Sequence, residues 1–335
     1  LTGIKVNYTL FASNEELYTK LKSGGASYDL IVPSDYMIGK MIGEGMLQKL
    51  DFDNIPNYRY IDEKYKNTNF DPTNEYSVPM YWGVVGIIYN TTMVDEEDLT
   101  GWNILWNEKY ADNMLMFSNS RDAFAISLLD LGYEFNTTNE AEIEEAAGHL
   151  RAQKPIVQAY VMDEIYDKME GGEAAVAPYY NGDAVLMMDV NEDLDFFLPD
   201  NTSIFIDSFC IPSGAKNKEA AEMYINYMCE STVAAANSYY VGYSTPHMGA
   251  MELLDEELVE NEIAYPDEEF IGSLEALLTL PAETTSLTDA LWTDIMATGS
   301  NSVIFQGIFL VFAIIVYAVF KIVNAKIKKK RMSYY

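Results

Sequence analysis

The chain has 335 residues, which is enough for two ordinary domains. Hydrophobic residues make up 49% of it, and this excludes an intrinsically disordered chain. The net charge of −31 argues against a nucleic-acid-binding protein, because neutralising phosphates requires a basic surface.

Strands and helices alternate from the start of the chain. Ile4–Leu10 alternates apolar and polar side chains, which predicts a strand. Ser13 and Glu16 form a capping box, which predicts that a helix begins there. Tyr28–Val32 (YDLIV) is a largely apolar run, typical of a strand buried on both faces of a parallel sheet. A second helix is predicted to begin at Asp35.

The alternation continues through the middle of the chain. Apolar runs predict four further strands, at 84–89, 114–117, 174–178 and 205–211. Helical patterns cover 121–131, 137–152, 181–188, 217–229 and 232–239. Strands that alternate with helices indicate an α/β architecture with parallel sheets and helices on both faces.

The sequence carries no familiar catalytic or metal-binding motif. It has two histidines, His149 and His247, and no HExxH, GxSxG, Walker A or GxGxxG pattern. The 52 acidic residues leave carboxylate-pair hydrolysis open, but their spacing singles out no pair. Cys210 and Cys229 form no CxxC motif, and the sequence does not decide whether they pair; of the two cases we expect two buried free thiols. We therefore expect no enzyme, no metal and no cofactor.

The end of the chain predicts a membrane anchor. Residues 303–320 carry no charge, and extension to Val323 admits only Lys321. About 21 residues at about 1.5 Å each span about 31 Å, the thickness of a bilayer core. The alternative, a buried core helix, is seldom this long and apolar on every face. The basic run KIKKKR follows, so the positive-inside rule places that end in the cytoplasm and residues 1–301 outside. We thus predict a transmembrane helix at 303–323 and a basic cytoplasmic tail at 324–335.

Seven segments form an ordered set across nearly all of residues 1–300. They are TGIKVNYTLFASNEELYTKLK (2–22), YDLIVPSDYMIGKMIGEGMLQKLD (28–51), YSVPMYWGVVGIIYN (76–90), NSRDAFAISLLDLGY (119–133), YNGDA (180–184), IFIDSFCIPSGAKNKEAA (204–221) and GYSTP (242–246). In this order and at this spacing they resemble the bacterial spermidine/putrescine-binding proteins of polyamine ABC importers, the PotD family.

The resemblance implies an α/β, two-lobed periplasmic-binding-protein fold of type II, with a ligand cleft between the lobes. The first lobe would comprise 1–83 and 207–251, and the second 84–206 and 252–300. Members of that family begin with a strand and a helix that carry aromatic ligand residues ahead of the TGIKV segment. This chain starts at that segment, so we expect the first strand of the first lobe and part of the pocket to be missing. The family also lacks a C-terminal anchor.

The resemblance also implies a set of ligand-binding residues. They are Ser34, Tyr36, Asn119, Asp122, Tyr180, Phe205, Asp207 and Tyr243. A polyamine is an alkyl chain with ammonium groups, so carboxylates suit its charges and aromatic faces suit its methylenes. Asn119 stands where the family commonly has an acid, which leaves Asp122 as the charge there. This departure weakens the binding of one terminal amine or shifts the preference between putrescine and spermidine.

Phe205 and Asp207 are the most specific pair in that set. Their period-two spacing places them on one face of a strand. An aspartate within IFIDSFCI is costly to bury unpaired, so it requires a cation or hydrogen-bond donors. Structural roles stay open for the others, with Asn119 as a helix cap and the tyrosines as core residues. Asp35 is either an added acid of the site or only a helix N-cap.

The sequence thus predicts an extracytoplasmic solute-binding protein held in the cell membrane by its C-terminal helix. It would capture spermidine or putrescine between its lobes and deliver it to the permease subunits of an ABC importer, without covalent chemistry and without binding nucleic acid. Two alternatives stay open. One is a binding protein for another small cationic or organic solute, since the fold serves many ligands. The other is a membrane-anchored sensor or surface interaction module of the same fold.

Overall fold

The computed structural model describes residues 2–297. Leu1–Leu291 form one compact unit, and the candidate site lies within it. The second unit, Trp292–Tyr335, is described only as far as Ala297, where the last helix ends. The predicted membrane span at 303–323 and the tail at 324–335 lie outside the described residues. Between residues 2 and 297, no helix has the length and apolar character needed to cross a bilayer.

The described part of the chain contains helices and strands in an alternating order, joined by short 3-10 turns. The helices are α1 (Asn14–Lys22), α2 (Asp35–Gly43), α3 (Ser120–Asp130), α4 (Glu140–Gln153), α5 (Ile165–Glu170), α6 (Asn181–Val190), α7 (Lys218–Met228), α8 (Ser231–Val241), α9 (Met248–Met251), α10 (Glu256–Val259), α11 (Glu268–Ser273) and α12 (Ala282–Ala297). The strands are β1 (Ser77–Asn90), β2 (Met114–Phe117), β3 (Val157–Val161), β4 (Val176–Tyr180), β5 (Leu194–Phe197), β6 (Ser203–Cys210) and β7 (Glu275–Ala276).

The long strand β1 connects the two ends of the sheet. Its first half pairs with β6, from Ser77 opposite Cys210 to Val84 opposite Ile204. Its second half is flanked by β4 and β5. The strand order is therefore β3-β2-β4-β1-β6-β7, with β5 beside β1. The first half of β1 pairs with β6, and its second half pairs with β4 and β5. The side chains of β1 and β6 near Gly83 therefore lie where these two parts of the sheet meet.

The sheet is mixed, whereas the sequence predicted parallel sheets. β2 runs parallel to β3 and β4, and β6 to β7, but β1 is antiparallel to β4, β5 and β6. All residues of β1 except Met80 are buried. Burial on both faces, not strand direction, produces a continuous apolar run, so the sequence pattern could not distinguish the two directions.

Two predicted strands near the start of the chain are not formed. Residues 2–12 contain no strand, and Val6, Tyr8 and Leu10 are 50%, 81% and 72% exposed. The prediction for Ile4–Leu10 was wrong because alternating side chains do not make a strand without a neighbour to hydrogen-bond. In YDLIV, only Ile31 makes a β-bridge, to Cys210, and it is antiparallel.

Two hydrophobic clusters pack helices against β6. One cluster joins the helices α1 and α2 to β6 through Leu17, Ile38, Met41 and Cys210. A second cluster packs β1 and β6 against α7, and it includes Cys229. Both cysteines are buried free thiols, which confirms the expectation from the sequence.

Candidate binding site

The strands β1 and β6 position the first two predicted site residues. Phe205 and Asp207 lie two apart on β6 and therefore share a face, with Gly83 and Tyr81 as their neighbours on β1. A Cβ at Gly83 would lie 2.6 Å from Cζ of Phe205 and 2.5 Å from Oδ1 of Asn181. The Phe205 ring therefore occupies its place because residue 83 has no side chain.

The Asp207 carboxylate has one oxygen without a protein partner. An isolated β-bridge joins Ser34 to Asp207, at the start of α2. Burial raises the pKa of Asp207 to about 6, against the opposing effect of the nearby Ser34 hydroxyl. As a residue Asp207 is half-buried, but its Oδ1 is inaccessible and has no partner within residues 2–297. Since an unpaired buried acceptor costs about 1–3 kcal/mol, this oxygen favours a donor supplied by a ligand.

The first turn of α3 carries two more predicted residues. Asn119 is the N-cap of α3, and its Oδ1 accepts a hydrogen bond from the Asp122 N–H at 2.8 Å. Oδ2 of Asp122 accepts from the Tyr180 hydroxyl at 3.0 Å. Burial raises the pKa of Asp122, whereas the hydrogen bonds from Asn119 and Tyr180 lower it. The capping role considered for Asn119 is thus observed, and Asp122 is the carboxylate here.

Three rings form a continuous aromatic wall. The rings of Tyr180 and Phe205 lie 5.2 Å apart at an angle of 69°. Those of Phe205 and Tyr243 lie 5.7 Å apart at 82°. Edge-to-face pairs of this kind stabilise one another. They hold apolar ring surface next to the carboxylates of Asp122 and Asp207.

A further carboxylate, Asp183 on α6, lies at the Tyr243 end of this wall. The Tyr243 hydroxyl donates to its Oδ2, and the Tyr166 hydroxyl donates to its Oδ1 at 2.6 Å. Burial raises the pKa of Asp183 to about 6, although the two tyrosine hydroxyls lower it. The sequence reasoning missed Asp183, although it lies only three residues after Tyr180 in YNGDA.

Tyr36 connects α2 to α1 and α3. Its hydroxyl donates to Oε1 of Glu15 at 2.8 Å, and its ring packs against the cluster of Ala125, Phe135 and Leu277. Burial raises the pKa of Tyr36, and the negative charges of Glu15 and then Asp122 add to the rise. The sequence reasoning also missed Glu15, which lies in the first turn of α1.

Asp35 supports the site from behind. It is fully buried and accepts hydrogen bonds from the N–H groups of Tyr36, at 2.6 Å, and Ile206, at 3.2 Å. Ser34, and not Asp35, is the N-cap of α2. Burial raises the pKa of Asp35 to about 8, and the charge of Asp207 adds to the rise. Its oxygens are therefore used within the protein.

The structure brings the eight predicted residues into one connected group. Ser34 reaches Asp207, the Asp207 strand carries Phe205, and the aromatic wall leads through Tyr180 to Asp122, Asn119 and Tyr36. Carboxylates in and behind this group outnumber the guanidinium of Arg121. They are Glu15, Asp122, Asp183 and Asp207. A site with excess carboxylates and ring faces can bind a cation that also has apolar surface.

A second acidic region lies away from this group. It is a cavity of about 520 Å³ lined by Tyr89, Thr91, Val94, Asp95, Glu96, Glu97 and Asp195. Tyr89 is the aromatic residue of its lining, and the Tyr89 hydroxyl donates to Asp195 at 3.0 Å. It lacks a wall of several rings. Among residues 2–297, no group of histidine, cysteine and acidic side chains is arranged to hold a metal ion.

Comparisons with known proteins agree with this geometry. Residues 26–273 match the family model described as bacterial extracellular solute-binding protein. The chain is 38% identical over 273 residues to the spermidine/putrescine-binding periplasmic protein of Salmonella typhimurium, covering 81% of this chain and 78% of that protein.

Solved structures show the same similarity. The PotD substrate-binding protein of a spermidine/putrescine ABC transporter from Streptococcus pneumoniae is 37% identical, with a TM-score of 0.74, covering 88% of this chain and 91% of that one. A Listeria monocytogenes protein assigned to a spermidine/putrescine ABC transporter is 38% identical, with a TM-score of 0.85, covering 88% and 92%.

Proposed function

The chain belongs to the bacterial extracellular solute-binding proteins, and from this we propose that it binds polyamines of the spermidine and putrescine class for an ABC importer. One observation supports the ligand class most directly. The Asp207 carboxylate has an inaccessible oxygen without a protein donor, on the same strand face as the Phe205 ring. An ammonium supplies the donors and its alkyl chain covers the ring.

Each part of the ligand has a matching surface. Asp207, assisted by Ser34, receives one ammonium group. Tyr180, Phe205 and Tyr243 cover the methylenes and face the cations with their rings, which contributes about 0.5–2 kcal/mol per cation–π contact. The relatives named above for spermidine and putrescine binding support the same class of ligand. The protein acts by binding and release, in keeping with a family that does not perform catalysis.

Binding is coupled to the closing of two lobes in this proposal. The first lobe comprises 1–83 and 207–251, and the second 84–206 and 252–300, with β1 and β6 crossing between them. Tyr36 of the first lobe already packs on Ala125 of the second, and the Tyr36 carbonyl accepts from the Thr279 hydroxyl at 2.7 Å. A ligand that contacts both lobes favours the closed state by its differential affinity.

Calorimetry with spermidine and putrescine tests the proposed function. Asp207→Asn removes the charge but preserves the shape, and we expect it to weaken binding roughly tenfold to hundredfold, since a hydrogen bond to a charged group contributes about 1.5–3 kcal/mol. Asp195→Asn, in the second acidic cavity, is the matched control and should bind as the wild type does. A wild type that binds neither amine contradicts the function, and an equal loss in both variants contradicts the site.

The anchor is a second part of the proposal. Residues 303–323 cross the membrane once, the tail at 324–335 lies in the cytoplasm, and the binding unit lies outside. This part is supported by the uncharged run at 303–320 and the basic residues after it.

A further inference from the structure

The two oxygens of the Glu15 carboxylate have different surroundings. Oε1 accepts the Tyr36 hydroxyl at 2.8 Å. Oε2 is buried and has no hydrogen-bond partner in the part of the chain that the structure describes. Buried carboxylate oxygens are normally satisfied by donors, so an unpaired one in a region lined by tyrosines and acids points to a donor from a ligand.

The first turn of α1 is fixed to the start of α2, which determines where Glu15 lies. Ser13 caps α1, with its hydroxyl accepting from the Glu16 N–H at 3.2 Å. Asn14 then makes two hydrogen bonds to Ser34, from its Nδ2 to Oγ at 3.1 Å and from the Ser34 N–H to its Oδ1 at 3.2 Å. Glu15 follows Asn14 directly in α1 and hydrogen-bonds to Tyr36. It is therefore held on the side of the site where Ser34 lies.

Glu15 lies close enough to Asp122 for their charges to interact. Burial raises the pKa of Asp122, and the negative charge of Glu15 contributes to the rise. These two carboxylates come from different elements, α1 and α3. Tyr36 links them, because its hydroxyl donates to Glu15 and its ring packs against the cluster that contains Ala125, one turn after Asp122 on α3. A cation in this region interacts favourably with both.

The positive charge of Arg121 interacts with both Asp122 and Glu15, but its guanidinium hydrogen-bonds to other groups. Its Nη1 donates to the Phe135 carbonyl at 2.9 Å, and its Nη2 donates to Oδ1 of Asn136 at 2.6 Å. Both acceptors lie in the segment that follows α3, and they fix the orientation of the guanidinium. Asn119, which precedes α3, uses its Oδ1 to cap that helix.

We propose that Glu15 binds an ammonium group of the polyamine, together with Asp122, at the opposite end of the aromatic wall from Asp183. One end of the ligand then has a carboxylate from α1 and one from α3. An ammonium has three donors, enough for both carboxylates and one further acceptor. This inference rests on the proposed function and adds to it the carboxylate that joins α1 to the site.

Glu15→Gln and Glu16→Gln form a matched pair of variants. Glu16 lies on the same turn, but its carboxylate is already used, by the Ala12 N–H at 2.7 Å and by Lys20 at 2.7 Å. In calorimetry with putrescine and spermidine, we expect Glu15→Gln to weaken binding roughly tenfold or more. Glu16→Gln should bind within about twofold of the wild type.

A structural role for Glu15 is separated from a binding role by thermal melting without ligand. Glutamine still accepts the Tyr36 hydroxyl and removes a negative charge that lies near Asp122. The melting temperature of Glu15→Gln should therefore equal or exceed that of the wild type, while its affinity falls. A lowered melting temperature together with weaker binding would instead indicate that Glu15 holds α1 in place.

The possible failures are distinguishable. If the wild type binds no polyamine, the proposed function is wrong, whatever Glu15 does. If the wild type binds and Glu15→Gln binds equally, only the role of Glu15 is wrong.

If Glu15→Gln does not fold, Glu15→Asp is the deciding variant, because it retains the charge on a side chain that is one methylene shorter. We expect it to bind about threefold or more weakly, and an affinity equal to that of the wild type contradicts the proposal.

Discussion

At the scale of single residues, Asp35 is the most strongly perturbed acid beside the site. It is inaccessible to solvent, and its carboxyl group accepts backbone N–H groups from the start of α2 and from β6. Burial raises its pKa to about 8 from an ordinary value of 3.8. The folded protein therefore holds a proton on Asp35 at neutral pH, when an unfolded chain does not.

This proton gives a prediction for stability against pH. Between pH 6.5 and 8.5 the folded state binds more protons than the unfolded state through Asp35, so the free energy of unfolding falls as pH rises. The melting temperature without ligand should decline across that window. Asp35→Asn cannot titrate, so its curve should be flatter, whatever its absolute stability. Parallel curves for the wild type and the variant would contradict the raised pKa.

Single residues also show what the sequence could and could not predict. Phe205 and Asp207 were predictable as a pair because a strand places alternate residues on one face. Asp183 and Glu15 were not, because their importance comes from Tyr243 and Tyr36, which are 60 and 21 residues away in the chain. The ligand role of all these residues is still a prediction.

At the scale of elements, the close approach of β1 and β6 fixes the aromatic wall. Gly83→Ala tests this, because its Cβ would displace the Phe205 ring. Overpacking of this kind costs about 1–3 kcal/mol, and we expect polyamine affinity to fall about tenfold although no ligand-binding group is removed. Gly148→Ala is the control, since a Cβ there contacts nothing within 4 Å and alanine favours the interior of α4. Its affinity should be unchanged. An unaltered affinity in Gly83→Ala would show that the ring position does not matter.

The elements were predicted best where local chemistry sets their ends. The capping serine places the start of α1 at Asn14, as the sequence indicated, and α3 begins one residue before its predicted start. β1 was predicted only for 84–89, whereas the strand runs from Ser77 to Asn90. Its first half exists because β6 lies alongside, and no short sequence window contains that information.

At the scale of the whole molecule, the ordered set of segments predicted more than periodicity did. Alternating strands and helices gave an α/β class but the wrong strand directions. The set of segments implied the two-lobed periplasmic-binding-protein fold, which the similarity to solved structures confirms. Lobe boundaries remain a prediction, because they depend on how the chain crosses between lobes.

The membrane anchor is the prediction for the full chain. Six of the 21 basic residues and none of the 52 acidic ones lie in residues 302–335, and all six follow the uncharged run at 303–320. We expect the full chain, exported by a fused secretion signal, to stay with membranes through high-salt and alkaline washes and to leave them in detergent. The double variant Val311→Lys, Ile314→Lys should move to the soluble fraction, because each charge at a helix centre costs about 2.5–3.5 kcal/mol of insertion. Lys328→Gln, outside the run, is the control and should stay with membranes. Polyamine affinity should be the same in all three proteins, and a wild type washed off by salt alone would contradict a spanning helix.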